Sequence, residues 1–265
     1  MNALFITPLA LTITALLVVL CAALSLLLAL GVQRQLLIAA VRMTAQLLLV
    51  GLFLRQIFAI SSIWLTGLVI CAMLAAASYE VSARQERRLR GVWHYLNGAL
   101  PLVGATLGVA LLALLCALQP SPWYDARHAI ALIGIILGSV MNSASLALNH
   151  VFSSVARERH AIEARLALGA NRYTAFHQII RGAVRSGLLP IMNQMAAAGI
   201  ITMPGIMSGQ ILAGMDPSIA ARYQILLLFL LAGGSFLATV GATLLAVRQL
   251  SDERDRLRLD RLQQR

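Results

Sequence analysis

The chain has 265 residues, of which 60% are hydrophobic and 12% are charged, and its mean hydropathy is +0.83. This composition excludes an ordinary soluble globular domain. The formal net charge is +11, and every basic residue is arginine, because the sequence contains no lysine. A lysine-dependent phosphate-binding loop and covalent catalysis by a lysine amine are therefore excluded.

Long apolar blocks follow one another along the chain, and each is long enough to cross a hydrocarbon core of about 30 Å. They predict an all-α polytopic membrane protein with about seven transmembrane helices. No arginine precedes Pro8, so the basic start of a cleaved signal peptide is missing and we expect the first block to be retained. The seven blocks cover residues 8–30, 36–54, 62–79, 96–118, 129–148, 187–215 and 225–247.

The charges of the connecting segments predict the orientation. The third connection carries four arginines and two glutamates, and the fifth carries six arginines and two glutamates. The fourth and sixth connections each hold one aspartate and one arginine. Since positive loops stay in the cytoplasm, the third and fifth connections and the C-terminus are predicted to be cytoplasmic and the N-terminus outside. A transmembrane domain is expected over 1–247 and a cytoplasmic tail over 248–265.

The sixth block is unusual because its 29 uncharged residues contain helix-breaking positions. As one straight helix it would be about 44 Å long, which exceeds the hydrocarbon core. Pro204-Gly205 predicts a break, which would fit a transport pathway. An ordinary kinked, tilted helix is the alternative. Asp216-Pro217, directly after the block, is typical of a helix start with an aspartate cap.

The fifth connection, residues 153–187, is predicted to form two short helices. Gly169 can end the first in the left-handed conformation, and Asn171 can cap the second. Ile162, Leu166 and Leu168 give the first helix a modest apolar face. An element of this size fits the groove of a partner protein, whereas a solvated loop is the alternative.

Arg42 and Gln46 lie four residues apart within the second block and share a helix face. A charge inside a span is expected to face the bundle interior. A structural or gating role and contact with an anionic substrate both fit Arg42. The sixth block holds two methionine pairs at helical spacing, Met192 with Met195 and Met203 with Met207. Flexible packing and a path for a soft metal are the two interpretations of these pairs.

The fifth connection resembles the E-A-A-x-x-x-G coupling motif of ABC transporter permeases. Glu163-Ala164 is followed by Gly169 at the motif's spacing, and Arg165 replaces the second alanine. The resemblance implies a short cytoplasmic coupling helix that docks on a separate ATPase subunit. The implied coupling residues are Glu163, Ala164, Leu166, Leu168, Gly169 and Ala170.

The segment from Thr202 to Gly209, followed by Gly214-Met215-Asp216-Pro217, resembles the FetB-type iron-export permeases. Related plant proteins are associated with aluminium tolerance, so the family's substrate is not uniform. The resemblance implies a permease homodimer in the bacterial inner membrane, ATP bound by the partner subunit, and iron efflux. The implied pathway and gating residues are Arg42, Gln46, Met141, Asn142, Met203, Pro204, Gly205, Met207, Ser208 and Gly209.

The leading hypothesis is therefore an ABC permease that exports iron or another metal and has no ATPase or catalytic site of its own. The alternative is an ATPase-independent secondary carrier or channel for a metal or a small organic anion. The apolar blocks contain no aspartate or glutamate, which counts against an ion-coupled carrier. No metal ligands are assigned, and nucleic acid is not an expected partner, because the arginines flank the apolar blocks.

Overall fold

The computed structural model describes residues 8–60, 62–118, 125–252 and 254–264. Contacts between residues divide the chain into two compact units, Met1–Ile60 and Ser61–Arg265. Helices dominate the described residues, whose strands form one two-stranded ribbon. The predicted all-α membrane fold is therefore confirmed.

The first unit is a helical hairpin of α1 (Pro8–Leu27) and α2 (Gln33–Ile60). The turn between them places Ala29 and Gly31 at positive φ, 51° and 74°. Ser25 Oγ donates to Gln33 Oε1 at 3.2 Å across this turn. Most described side chains of the two helices are apolar and exposed within the unit, as expected of helices that meet lipid or other helices.

The second unit is a bundle of long helices with several short ones. A π-helical segment, Ala113–Leu118, continues α4 toward the part of the chain that is not described. Its α-helices are α3 (Ile63–Ala83), α4 (Trp93–Leu112), α5 (Ala126–Arg157), α6 (Arg159–Ala167), α7 (Arg172–Ala175), α8 (His177–Ala197), α9 (Gly205–Leu212) and α10 (Pro217–Gln249).

Small residues let the helices of this bundle approach closely, as is common in membranes. A Cβ added at Gly187 of α8 would lie 2.7 Å from the Ser143 carbonyl oxygen of α5 and 2.8 Å from Thr239 Cγ2 of α10. A Cβ at Gly241 of α10 would lie 3.1 Å from the Cβ of Pro101 in α4. The core therefore consists of α4, α5, α8 and α10 in direct contact, with α3 packed on α4 and α5.

Six helices of the described residues are long and apolar enough to cross a membrane, compared with the seven spans expected. The difference lies in the sixth block, which is not one helix. It contains the end of α8, a non-helical segment at 198–204, and α9. The predicted break is confirmed, and the alternative of a continuous kinked helix is wrong. The long α8 begins at His177, ten residues before the block. Its first turns are polar and arginine-rich, which is why they fell outside the apolar block.

The fifth connection also differs in part from its prediction. The first short helix is present as α6, but the second is the single turn α7, and the residues from 177 onward belong to α8. The reason is that Ile179, Ala183 and Gly187 recur at helical spacing and are buried against the bundle, so α8 starts within the connection.

The C-terminal residues fold back onto the bundle. Strand β1 (Arg87–Leu89) lies in the third connection and pairs antiparallel with β2 (Leu262–Gln264), with Arg88 opposite Gln263. The Arg90 N–H also donates to the Arg261 carbonyl at 2.8 Å. The third connection and the tail are thus at the same end of the bundle, as the charge-based orientation requires.

Candidate functional site

The candidate coupling segment, residues 159–176, is held to the bundle by a few buried side chains. Glu158, whose backbone is not helical, separates α5 from α6. Ile162 is fully buried and packs in the main core, as do Ala175 and Phe176 at the other end of the segment. Leu166 is partly buried against the same core. The burial of these residues fixes α6 on the end of the bundle.

The opposite face of α6 is open. Leu168 is 88% exposed, and Ala164 and Gly169 are also exposed. Glu163 Oε1 accepts a hydrogen bond from Arg159 Nε at 2.9 Å, one helical turn away. An exposed pair of this kind contributes little to stability. The surface made by these residues is therefore available for a partner.

The turn after α6 has the conformation that its sequence predicts. Gly169 has φ +90°, and its N–H donates to the Leu166 carbonyl at 3.0 Å. The Ala170 N–H donates to the Arg165 carbonyl at 3.1 Å, which completes the two hydrogen bonds of a glycine C-cap. Asn171 Oδ1 then accepts from the Thr174 N–H at 2.9 Å, so both predicted caps are confirmed.

Arg165 has a role that the sequence interpretation missed. It replaces the second alanine of the resembled motif, and its guanidinium donates to the Ala175 carbonyl at 3.0 Å and to Gln178 Oε1 at 3.1 Å. Arg165 thus joins α6 to α7 and to the first turn of α8. The sequence could not predict this contact, because the residues that Arg165 bonds to follow ten and thirteen positions later in the chain.

The helix break at 198–204 is stabilised by local hydrogen bonds. Gly199, at φ +84°, donates its N–H to the Thr202 carbonyl at 2.9 Å. Pro204 is the residue before α9, which starts at Gly205, and the Ser208 hydroxyl donates to the Pro204 carbonyl at 3.1 Å. None of the α9 residues, all of which the structure describes, is buried. The predicted pathway residues Met203 to Gly209 therefore lie on a lightly packed element.

A second pair of caps joins α9 to α10. Gly214, at φ +94°, ends α9, and Asp216 Oδ1 accepts from the N–H groups of Ser218 and Ile219 at 2.9 and 3.4 Å. The Ser218 hydroxyl also donates to this carboxylate. Its hydrogen bonds with Ser218 hold the pKa of Asp216 below its usual value. The predicted capping role of Asp216, followed by Pro217 in the first turn, is confirmed.

The remaining predicted pathway residues are found in two places. Asn142 Oδ1, on α5, accepts from Arg84 Nη1 at 3.0 Å, and the neighbouring Met141 packs against the core. Arg42 and Gln46 lie on α2 in the first unit, with exposed side chains. Among the residues that the structure describes, no three His, Cys, Asp or Glu side chains cluster as a metal site would require.

The fold defines the chain as a multi-pass helical membrane protein. A family model described as an uncharacterised protein family, UPF0014, matches residues 8–251, and the chain belongs to this family. The resemblance to the FetB-type family is confirmed by this match together with the relatives described next.

The relatives carry different descriptions. The UPF0014 membrane protein slr1647 of Synechocystis is 37% identical over 86% of this chain and 87% of its own length. The probable iron export permease protein FetB of Escherichia coli is 29% identical over 89% of each chain. The protein ALUMINUM SENSITIVE 3 of Arabidopsis thaliana is 27% identical over 82% of this chain and 77% of its own. No solved structure matches the chain.

Proposed function

We propose that this chain is the permease subunit of an ABC transporter that exports iron or another metal and takes its energy from ATP bound by a separate subunit. The observation that carries the proposal is the coupling segment. Its inner face is anchored by Ile162 and Phe176, while Glu163, Leu168 and Gly169 are presented outward. The printed description of the Escherichia coli relative as an iron export permease supports the choice of cargo.

The chain connectivity offers a direct mechanical route from this segment into the bundle. Only Phe176 separates α7 from α8, and Arg165 bonds to both sides of that junction. Further along α8, Gly187 is in close contact with α5 and α10. Since closely packed helices move as units, a displacement of α6 by an ATPase would shift α8 against these two helices.

The end of α8 leads into the break at 198–204 and then into α9. These elements are the proposed gate, because the surrounding packing leaves them room to change conformation. Met203, Pro204, Gly205, Met207, Ser208 and Gly209 would line or move the gate, together with Met141 and Asn142 on α5. Arg42 and Gln46, on α2 of the first unit, are proposed as pathway residues in their own right. The metal is the cargo, and its ligands are left unassigned.

The proposed assembly is a permease homodimer with its ATPase subunits in a bacterial inner membrane. The exposed apolar side chains around the break, such as Ile200 and Ile201, suit contact with a second copy or with lipid. The alternative function, a carrier or channel that works without an ATPase, predicts that α6 can be altered without effect on transport. The two functions are therefore separable by experiment.

The test uses the full chain co-purified with its candidate ATPase in nanodiscs. Leu168→Ala and Gly169→Ala are expected to reduce complex formation and transport-linked ATP hydrolysis by about tenfold or more, the factor that corresponds to about 1.4 kcal/mol of binding. Leu237→Ala, an exposed leucine on α10, is the matched control. Unchanged complex formation and hydrolysis in both α6 variants would show that the coupling assignment is wrong.

The cargo is tested in the same preparation by measuring ATPase stimulation with iron, other metals and small organic anions. Stimulation by iron supports the proposed cargo. A clear response to another ligand, with none to iron, would remove iron from the proposal while leaving the coupling segment intact. ATP-independent transport in the isolated permease would favour the carrier or channel.

A further inference from the structure

The C-terminal tail forms a small ordered unit rather than a simple extension of α10. The described residues 250–252 and 254–258, named here the tail hairpin, reverse direction, since the Arg258 N–H donates to the Leu250 carbonyl at 2.8 Å and Ser251 pairs with Leu257. Leu250 is fully buried. Arg261 Nη1 donates to the Gln249 carbonyl at 2.8 Å, and β2 continues from there onto β1. The tail hairpin is thus attached to the bundle on both sides.

A cavity of about 530 Å³ lies between the tail hairpin, the last turn of α10 and α7. Its volume is within the range of about 300–1,000 Å³ that is usual for small-molecule sites. Five arginines from different parts of the chain face it together with one aspartate; they are Arg172, Arg248, Arg254, Arg256 and Arg261, with Asp252. Such a concentration of guanidinium groups favours an anionic occupant.

The neighbouring carboxylates neutralise only part of the positive charge of these arginines. Asp252 Oδ1 already accepts the backbone N–H groups of Arg254 and Arg256, at 3.0 and 2.8 Å, and so holds the hairpin turn together. Asp255 Oδ1 forms a salt bridge with Arg172 Nε at 2.5 Å. Five positive charges against these two negative ones leave an excess of +3 among the described residues.

The position of the cavity along α10 brings it near the lipid headgroups. The apolar face of the span runs to Val247, which is buried, and Arg248 follows it directly. Arginines immediately beyond a span lie at the level of the lipid headgroups, where the cytoplasmic leaflet is negatively charged. The planar guanidinium fork also matches phosphate oxygens in a bidentate manner.

We propose that this cavity is a phosphate-group site, filled by the headgroup of an anionic phospholipid or by a soluble phosphate ion. The bound group would connect Arg172 on α7 with the arginines of the tail hairpin and α10. Because α7 belongs to the coupling segment, occupancy would hold the tail against that segment and stiffen it. The site depends neither on the metal cargo nor on the ATPase.

The experiment uses the full chain in two arms. In neutral detergent, inorganic phosphate is titrated and binding is followed by calorimetry. In nanodiscs, melting temperature and retained lipid are compared between pure phosphatidylcholine and a mixture with phosphatidylglycerol. The test variant is R248Q/R256Q, because Arg172 and Arg261 have contacts that support the fold. The control is R222Q, an exposed arginine near the other end of α10.

At least a tenfold loss of affinity is expected in R248Q/R256Q, and no change in R222Q. Variant-sensitive phosphate binding in detergent identifies a soluble source, and variant-sensitive retention of phosphatidylglycerol alone identifies the lipid. R248K/R256K keeps the two positive charges but lacks the planar guanidinium groups. It should therefore fold normally and bind phosphate more weakly than the wild type. Equal binding by wild type and both double variants in the two arms would overturn the site.

Discussion

The coupling segment and the segment 198–216, which contains the helix break, α9 and the cap of α10, have similar helix caps but different packing. Each contains a glycine at positive φ that ends a short helix, Gly169 in one and Gly214 in the other, followed by an Asn or Asp that caps the next helix. The coupling segment buries Ile162 and Phe176 completely, whereas α9 buries no side chain. Ile200, in the break, is 91% exposed.

The comparison teaches that caps determine where these helices begin and end, whereas burial determines how firmly they are held. Isolated helices this short are marginal in water, so their persistence depends on tertiary contacts. The coupling segment has such contacts within the chain and is suited to transmit force. The break has few, and is suited to rearrange when a second copy, lipid or cargo supplies them.

The largest effect on stability is expected when the buried aromatic side chain that anchors the coupling segment is removed. Phe176→Ala should lower the free energy of unfolding by about 3–5 kcal/mol, since it empties a fully buried aromatic site. Ile201→Ala, in the break, should change it by less than about 0.5 kcal/mol, because Ile201 is exposed. Equilibrium unfolding in detergent measures both. Similar losses in the two variants would contradict the difference in packing.

The next largest effects on stability are expected from a glycine in the closely packed α8 and a glycine in the loosely packed α9. Gly187→Ala should cost about 1–3 kcal/mol, because the new Cβ meets the Ser143 backbone oxygen, which cannot rotate away. In the described part of the chain, a Cβ at Gly209 meets no atom within 4 Å. Gly209→Ala should therefore stabilise α9 by up to about 1 kcal/mol through helix propensity. We expect the two variants to change the free energy of unfolding in opposite directions in the same unfolding assay.

Two of the glycines at positive φ, one in the coupling segment and one in the helix break, test local backbone strain in these regions. Gly169→Ala and Gly199→Ala should each cost about 1–2 kcal/mol, because a Cβ disfavours the left-handed conformation. Their functional effects should differ. Gly169→Ala should impair ATPase coupling, whereas Gly199→Ala should leave complex formation intact and alter transport. Loss of complex formation in Gly199→Ala would show that the two regions are not separate.

Features with a local cause could be predicted from the sequence. Apolar block length identified the membrane fold, Gly169 and Asn171 identified the caps of the coupling segment, and Pro204-Gly205 identified the break. The bounds of the long helices were less accessible. The first turns of α8, around Arg181, are polar, so the apolar pattern did not include them. They are helical because one face of α8 is buried against the bundle.

Contacts between residues that lie far apart in the sequence could not be predicted. The bonds of Arg165 to Ala175 and Gln178 depend on how α6 turns back toward α8. The pairing of β1 with β2 joins residues 87–89 to 262–264, and neither strand has a recognisable pattern in three residues. The phosphate-group site likewise combines Arg172 with arginines that lie more than 70 positions later. Only the folded chain brings such residues together.

The smallest expected effect comes from the cap of α7. Asn171→Ala removes the acceptor of the Thr174 N–H and should cost about 1 kcal/mol. Asn171→Asp keeps an acceptor and adds a negative charge at a helix start, so it should restore the stability. Amide hydrogen exchange locates the change: faster exchange is expected in α7, with α9 unaffected. If α9 also exchanged faster in Asn171→Ala, the cap would act beyond its own turn, and the coupling segment would be less independent of the break than its packing indicates.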